Sequence, residues 1–208
     1  TNTFTVAAYN VENWNEIERN HKSGQPKPFE EKQGVWQVLT TIRPDVLGIE
    51  EMGKEHDLAE LRDGLKQRGL NYSFSEWIES ADKDRHVALL SRFPIAQRFS
   101  RTDYTYDLDG KSHRIQRGLL DVRIQVNDHY SFRAVVAHLK SKRQGPEGDQ
   151  AKMRVEEARL LRAHVGKILK DDPQLNLIVM GDFNDTPESV AIRSIIGESP
   201  FALFDLLP

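Results

Sequence analysis

The run Gly181-Asp182-Phe183-Asn184-Asp185 sets two carboxylates and a carboxamide in the four residues that follow a glycine. Hard oxygen donors and an amide at this spacing suit a divalent cation such as Mg²⁺ and the oxygens of a phosphate. Asp and Asn also close turns through local hydrogen bonds, and the run alone leaves both readings open. Asn10, within Tyr9-Asn10-Val11-Glu12-Asn13, follows an apolar segment and could donate to a phosphate, hold a carboxylate, or end a strand in a turn. Glu50 and Glu51 follow the apolar stretch Val46 to Ile49. Neighbours on a strand point to opposite faces, so at most one of the two acids should face a given site. A single carboxylate there suits Mg²⁺, which keeps most of its waters. His138 ends a further apolar segment, 131–137, where an imidazole can act as acid or base near neutral pH or sit in satisfied hydrogen bonds. His21, His56, His86, His113, His129 and His164 have no comparable setting.

The elements that must position these residues can be read from periodicity. Five apolar residues in the six positions Leu175 to Met180, bounded by Pro173 and Pro187, predict a strand covered on both faces. Gly181 then allows a sharp turn or a close backbone approach, and the polar groups fall just past the strand's carboxyl end, where α/β sheets commonly hold ligands. Residues 3–9 read as a strand and the polar, proline-containing segment 13–29 as a surface loop. Val35, Val38, Leu39 and Ile42 have helical spacing over Glu30 to Arg43, and Pro44 ends that helix. Asp45 to Glu50 reads as a short buried strand. Asp57 looks like an N-cap with Glu60 three residues on and Gly69 at the end of its helix. Strands are expected near 71–77, 86–91 and 117–126, with Asn127-Asp128 turning into Tyr130 to Ala137. A long helix over Gln150 to Lys170 should bury Ala158, Leu161, Val165 and Ile168, and another should run from Pro187 to Ile196. Hairpins interleaved with a few long helices predict sheet-on-sheet packing with helices outside.

The chain has 208 residues, 38% of them hydrophobic and 29% charged, enough for one domain with a sizeable core or two small ones. It has no cysteine, which excludes disulfides and thiolate metal sites. No apolar run approaches the length that spans a bilayer, so no stable membrane insertion is expected. The net charge of -3 argues against coating nucleic acid by bulk electrostatics, but not against an enzyme with a local cationic groove. The densest basic stretch, His138 to Arg143, carries Lys140, Lys142 and Arg143, and such runs are commonly solvated loops. Thr1 is not a start methionine, so the chain reads as a processed or trimmed form, with location unassigned and a secreted or periplasmic origin compatible.

Five segments, in this order, resemble the endonuclease/exonuclease/phosphatase superfamily, which includes pancreatic-type deoxyribonuclease. They are Tyr9-Asn10-Val11-Glu12-Asn13, Arg43 to Glu51, Val87 to Ile95, Val135-Val136-Ala137-His138-Leu139, and Gly181 to Asp185. The stretch His138 to Arg143 further resembles bacterial, often secreted, nuclease-like members. The resemblance implies a four-layer α/β/β/α sandwich of two mixed sheets flanked by helices. It also implies a metal-dependent phosphodiester hydrolase, with Glu51 binding Mg²⁺ or Mn²⁺ supported by Asn10. Asp182 is implied to orient the attacking water or assist the leaving group, Asn184 to hold the scissile phosphate, and His138 to stabilise the transition state or donate a proton. Glu76 resembles the acid that orients this histidine, and Arg117 a phosphate contact, with surface salt bridging the alternative for both. The implied substrate is nucleic acid, with a phosphoester small molecule or lipid head group as the alternative and a non-catalytic binding module as a third reading. The family's pattern continues with an Arg-Ile-Asp-type strand and a Ser-Asp-His motif, and this sequence contains neither. The expectation is a single domain over 1–208 short of its C-terminal strands, with one sheet edge unpaired and activity lowered. Asp205 lies in an apolar segment and is not a substitute.

Overall fold

Short apolar runs form the centres of two four-stranded sheets in the computed structural model, which describes residues 3–206. The first part of the chain supplies β1 (Val6–Trp14), β2 (Ile17–Arg19), β3 (Lys22–Gln25), α1 (Phe29–Ile42), β4 (Val46–Met52), α2 (Glu55–Gln67), β5 (Phe74–Ile78) and β6 (His86–Ser91). The second part supplies β7 (Ile95–Arg98), β8 (Thr105–Leu108), β9 (Lys111–Arg114), β10 (Leu119–Asn127) and β11 (Tyr130–His138). It ends with α3 (Gln150–Asp171), β12 (Leu177–Asp182) and α4 (Val190–Ile196). The strand orders are β1-β4-β6-β5 and β12-β11-β10-β7. Each sheet is mixed, with β1 parallel to β4, β11 parallel to β12, and the other neighbours antiparallel.

Three apolar layers hold this α/β/β/α arrangement. Trp14, Trp36, Leu39, Leu61 and Leu65 pack α1 and α2 on the outer face of the first sheet. Val135, Ala158, Leu161 and Val165 pack α3 on the outer face of the second, where α4 adds Ala191 and Ile195. Val46, Leu89, Leu120, Val136 and Met180 fill the space between the sheets. Each large aliphatic side chain so enclosed contributes about 1.5–3 kcal/mol. The four residues expected to be buried along α3 are all buried.

Several local expectations are corrected. Segment 13–29 is not simply loop, since Ile17 pairs with Gln25 and Arg19 with Lys22. Asn20 and His21, at φ of 50° and 62°, make its turn, a conformation asparagine tolerates well. Asp57 is not the N-cap: α2 starts at Glu55, and the Asp57 carboxylate accepts the Lys54 N–H from inside the first turn at 2.8 Å. Ser189 caps α4 by accepting the Ile192 N–H at 3.1 Å, so that helix starts after Pro187. β12 is an edge strand, and Leu177, Ile178 and Val179 are only half-buried. The short strands β7, β8 and β9 carry too little periodicity to be anticipated.

Candidate active site

Parallel pairing brings strand ends together, and here two parallel pairs end at the same place. In the second sheet His138 lies opposite Asp182 at the carboxyl ends of β11 and β12. In the first sheet Asn10 of β1 lies opposite Glu50 of β4. β1 and β12 meet across the seam, where Asn10 Nδ2 donates to Asp182 Oδ2 at 3.0 Å. The other carboxylate oxygen, Oδ1, accepts the Asn184 N–H at 2.9 Å. Asp182 is therefore fixed by two donors, one from each side of the seam. Asn10 is fixed in turn, since its Oδ1 accepts the Glu12 N–H at 2.8 Å.

The backbone is bent to reach this arrangement. Glu12, Asn13 and Glu51 have φ of 50°, 58° and 60°, and the β1–β4 register breaks between Asn10 and Trp14. Across that break Glu51 lines the cleft, while Glu50 is buried beside it. Gly181 is required at its position: a Cβ there would lie 1.9 Å from the Ala137 carbonyl oxygen, and φ is +138°. Of the two uses expected for this glycine, close backbone approach is the one realised, and Asp182 ends the strand rather than following it.

His138 is buried, and neither ring nitrogen has a hydrogen-bond partner. Its Nε2 is 3.9 Å from Glu51 Oε1 and 4.0 Å from Asp182 Oδ2. Those distances would allow ion pairs, but burial and the nearby Arg117 guanidinium outweigh the Asp182 charge and lower the pKa to about 4. The imidazole is thus neutral at pH 7 and keeps one N–H to donate. Glu50 moves the other way: burial, then repulsion from Asp182 and Glu51, raises it to about 8. It carries a proton at neutral pH, and its Oε1 is unpartnered.

Arg117 is buried behind the histidine, with Nε donating to Asp82 Oδ2 at 3.0 Å. Its alternative reading, a salt bridge, is realised, but inside the protein. Asn184, at φ 53°, donates from Nδ2 to the Leu139 carbonyl at 3.0 Å, which ties it to the end of β11. Glu76 is not brought to His138. It lies on β5, at the opposite edge of the first sheet from β1, and pairs with Arg98 of β7. The basic run is largely neutralised: Lys140 is buried beside Glu147, and Lys142 meets Asp185. Arg143 opens onto the cleft.

That cleft, about 650 Å³, is lined by Asn10, Glu51, Asp182 and Arg143 together with Glu12, Asn13, Ile17, Arg19 and Glu31. Sequence reading missed the wall formed by the β2–β3 hairpin, and it missed Asp82. Only the polar spacing of 13–29 could have signalled the hairpin. Among the described residues no group of three His, Cys, Asp or Glu side chains is close enough to hold a metal ion unaided. The donors present nonetheless fit Mg²⁺ or Mn²⁺. Glu51 and Asp182 are hard oxygen donors on an open polar cleft, Mg²⁺ needs only one or two carboxylates beside its waters, and the negative charge these two acids place on Glu50 is one a cation would offset.

The sequence model of the endonuclease/exonuclease/phosphatase family matches residues 30–199. The chain belongs to that family, and its fold is the family's. No curated protein sequence matches it. Among solved structures it is similar to a β-hairpin deletion mutant of beta toxin from Staphylococcus aureus, at 14% identity and a TM-score of 0.62, covering 94% of this chain and 74% of that one. It is similar to sphingomyelinase C from Streptomyces griseocarneus, at 17% identity and a TM-score of 0.58, covering 94% and 69%. It is also similar to truncated TDP2 from Caenorhabditis elegans, at 14% identity and a TM-score of 0.61, covering 89% and 64%. A further beta toxin structure, the F277A, P278A mutant, contains bound magnesium ions. The scaffold is therefore that of the endonuclease/exonuclease/phosphatase family, and among the described residues no helix is long and apolar enough to cross a membrane.

Proposed function

We propose that this chain is a divalent-metal-dependent phosphodiester hydrolase acting on nucleic acid, with residues 1–208 working as one domain. The observation that carries the reading is the convergence of Asn10, Glu51 and Asp182 at one polar cleft built from both sheets, with His138 buried within about 4 Å of both carboxylates. Phosphodiester hydrolysis needs an aligned water, charge neutralised on the non-bridging oxygens, and a proton for the leaving oxygen. Mg²⁺ or Mn²⁺ held by Glu51, with Asn10 in support, supplies charge neutralisation when bound. Asp182, immobilised by Asn10 and Asn184, accepts a proton from the water it aligns, and the leaving oxygen takes its proton from solvent through the open cleft. Neutral His138 donates its N–H to a non-bridging oxygen as charge builds there. Asn184 steadies the phosphate side of the site, and Arg117, paired with Asp82, acts from behind His138. Arg143 at the rim favours a polyanion.

A second reading, a lipid head-group phosphodiesterase, draws on Glu12 and Glu31 along the cleft wall, which suit a cationic head group. Similarity to a sphingomyelinase C supports it as well. The test is cleavage of plasmid DNA, single-stranded DNA and RNA with Mg²⁺, run beside sphingomyelin vesicles, for the wild type and Asp182→Ala. Nuclease turnover that falls at least about a thousandfold in the variant is expected, by analogy with loss of one member of a catalytic unit. Turnover only on sphingomyelin supports the second reading. Metal binding without turnover on any substrate rejects both in favour of a binding module.

A further inference from the structure

Two charged side chains on α3 are buried although the chemistry above uses neither. Glu157 is 1% exposed and Arg154 is 5% exposed, one helical turn apart. Glu157 Oε1 accepts the Gln116 N–H at 3.1 Å, and its Oε2 accepts the Lys140 N–H at 2.8 Å. Arg154 Nε donates to Asp185 Oδ2 at 2.8 Å, and its Nη1 reaches the Lys140 and Ser141 carbonyls, each at 3.4 Å. Gln116 immediately precedes Arg117, Lys140 follows His138 by two residues, and Asp185 follows Asn184. One face of α3 thus holds backbone groups beside Arg117 and His138, and the Asp185 carboxylate beside Asn184. α3 can bear that load because Ala158, Leu161 and Val165, further along the helix, are fully buried in the core. A buried carboxylate is expensive unless its oxygens are satisfied, and here each oxygen is satisfied by a backbone N–H from a segment that carries a site residue.

We propose that Glu157 is a positioning residue of the active site, assisted by Arg154, clamping two strand-end amides so that His138 and Arg117 keep their places relative to Asp182. The proposal rests on the phosphodiesterase reading. In Glu157→Gln only one side-chain oxygen remains to accept, and the amide NH₂ faces a backbone donor, so one clamp is lost whichever way the amide turns. The experiment measures kcat and KM of the full chain with Mg²⁺ on the wild type's best phosphodiester substrate, well below Tm. NMR follows the Gln116 and Lys140 amide protons. Val165→Ala, in the same helix, is the control for stability alone.

The expected result for E157Q is a kcat about ten- to a hundredfold lower with KM within about twofold, since sub-ångström misplacement acts on the reacting geometry. One of the two amide protons moves upfield, and V165A loses Tm with kcat unchanged. Should E157Q not fold, Glu157→Asp, which keeps the charge but reaches only one amide, takes its place with the same readouts. Wild-type kcat in the variant, or kcat losses in both variants that merely follow Tm, overturns the positioning role. A wild type without turnover overturns the phosphodiesterase reading itself, and the positioning role with it.

Discussion

Gly181→Ala is the sharpest test of how the site is built. The glycine sits opposite Ala137 in the parallel β11–β12 ladder, one step before the His138–Asp182 pair. An added Cβ would meet the Ala137 carbonyl oxygen at 1.9 Å and the Ala137 nitrogen at 3.0 Å, both of them backbone atoms. An alanine at φ +138° adds conformational strain of about 1–3 kcal/mol. Relieving the clash requires the strands to part, which removes about two ladder hydrogen bonds at about 1 kcal/mol each. The expected destabilisation is roughly 3–5 kcal/mol. Urea unfolding measures it, read as a shift in midpoint at constant slope. Gly48→Ala supplies the comparison. Its Cβ would meet only side-chain ends, Val136 Cγ1 at 3.1 Å and Met180 Cε at 3.2 Å. Those can yield, and the expected loss is about 1 kcal/mol. If G181A falls within about 1 kcal/mol of wild type, or G48A is the worse of the two, the close-approach argument is wrong.

Two further outcomes follow from the electrostatics. Asp121 is fully buried and accepts from Arg133 and from His164 Nε2, whose Nδ1 meets the Tyr104 hydroxyl at 2.8 Å. Burial raises its pKa, but the His164 and Arg133 hydrogen bonds outweigh this and hold the carboxyl below its ordinary value. A depressed folded pKa adds stability above the unfolded value, near 3.9, that is lost as pH falls through the folded one. Asp121→Asn should therefore destabilise by about 3 kcal/mol at pH 7, leaving Arg133 without its counter-charge. The gap to wild type should narrow between about pH 5 and pH 2. A gap independent of pH in urea titrations would count against it. Glu51→Gln should weaken Mg²⁺ or Mn²⁺ binding at least about tenfold by calorimetry, since even outer-shell partners are worth that much. Equal affinity would remove Glu51 from the metal site.

What could be read in advance was whatever the chain writes consecutively. Gly181 to Asp185 announces itself because a glycine, two acids and an amide are adjacent. Ala158, Leu161, Val165 and Ile168 announce α3 because helical spacing repeats. What escaped depends on residues distant in sequence and on local departures from regular backbone. The positive φ at Glu51 is a departure from regular strand backbone that residue types alone do not announce. Asp82 holds Arg117 from 35 residues away. Arg154 and Glu157 look like the solvated face of an amphipathic helix until the loops that bury them are in place. Glu76 failed for the converse reason: its local pattern resembles a site acid, but strand order puts it on the far edge of its sheet.

The way the chain divides between the sheets has a consequence for assembly. β1, β4, β5 and β6 with α1 and α2 come from before Arg92, while β7, β10, β11 and β12 with α3 and α4 come after it. The two halves of the sandwich are therefore successive in sequence, joined by a single crossing near Phe93. Asn10, Glu50 and Glu51 belong to the first half, and Arg117, His138, Asp182 and Asn184 to the second. Neither half holds a working set, and each alone would expose the apolar face that docks on the other. On the proposed phosphodiesterase reading, the site is assembled only when the two sheets dock. A chain severed between Arg92 and Pro94 would report fragment complementation through recovered turnover.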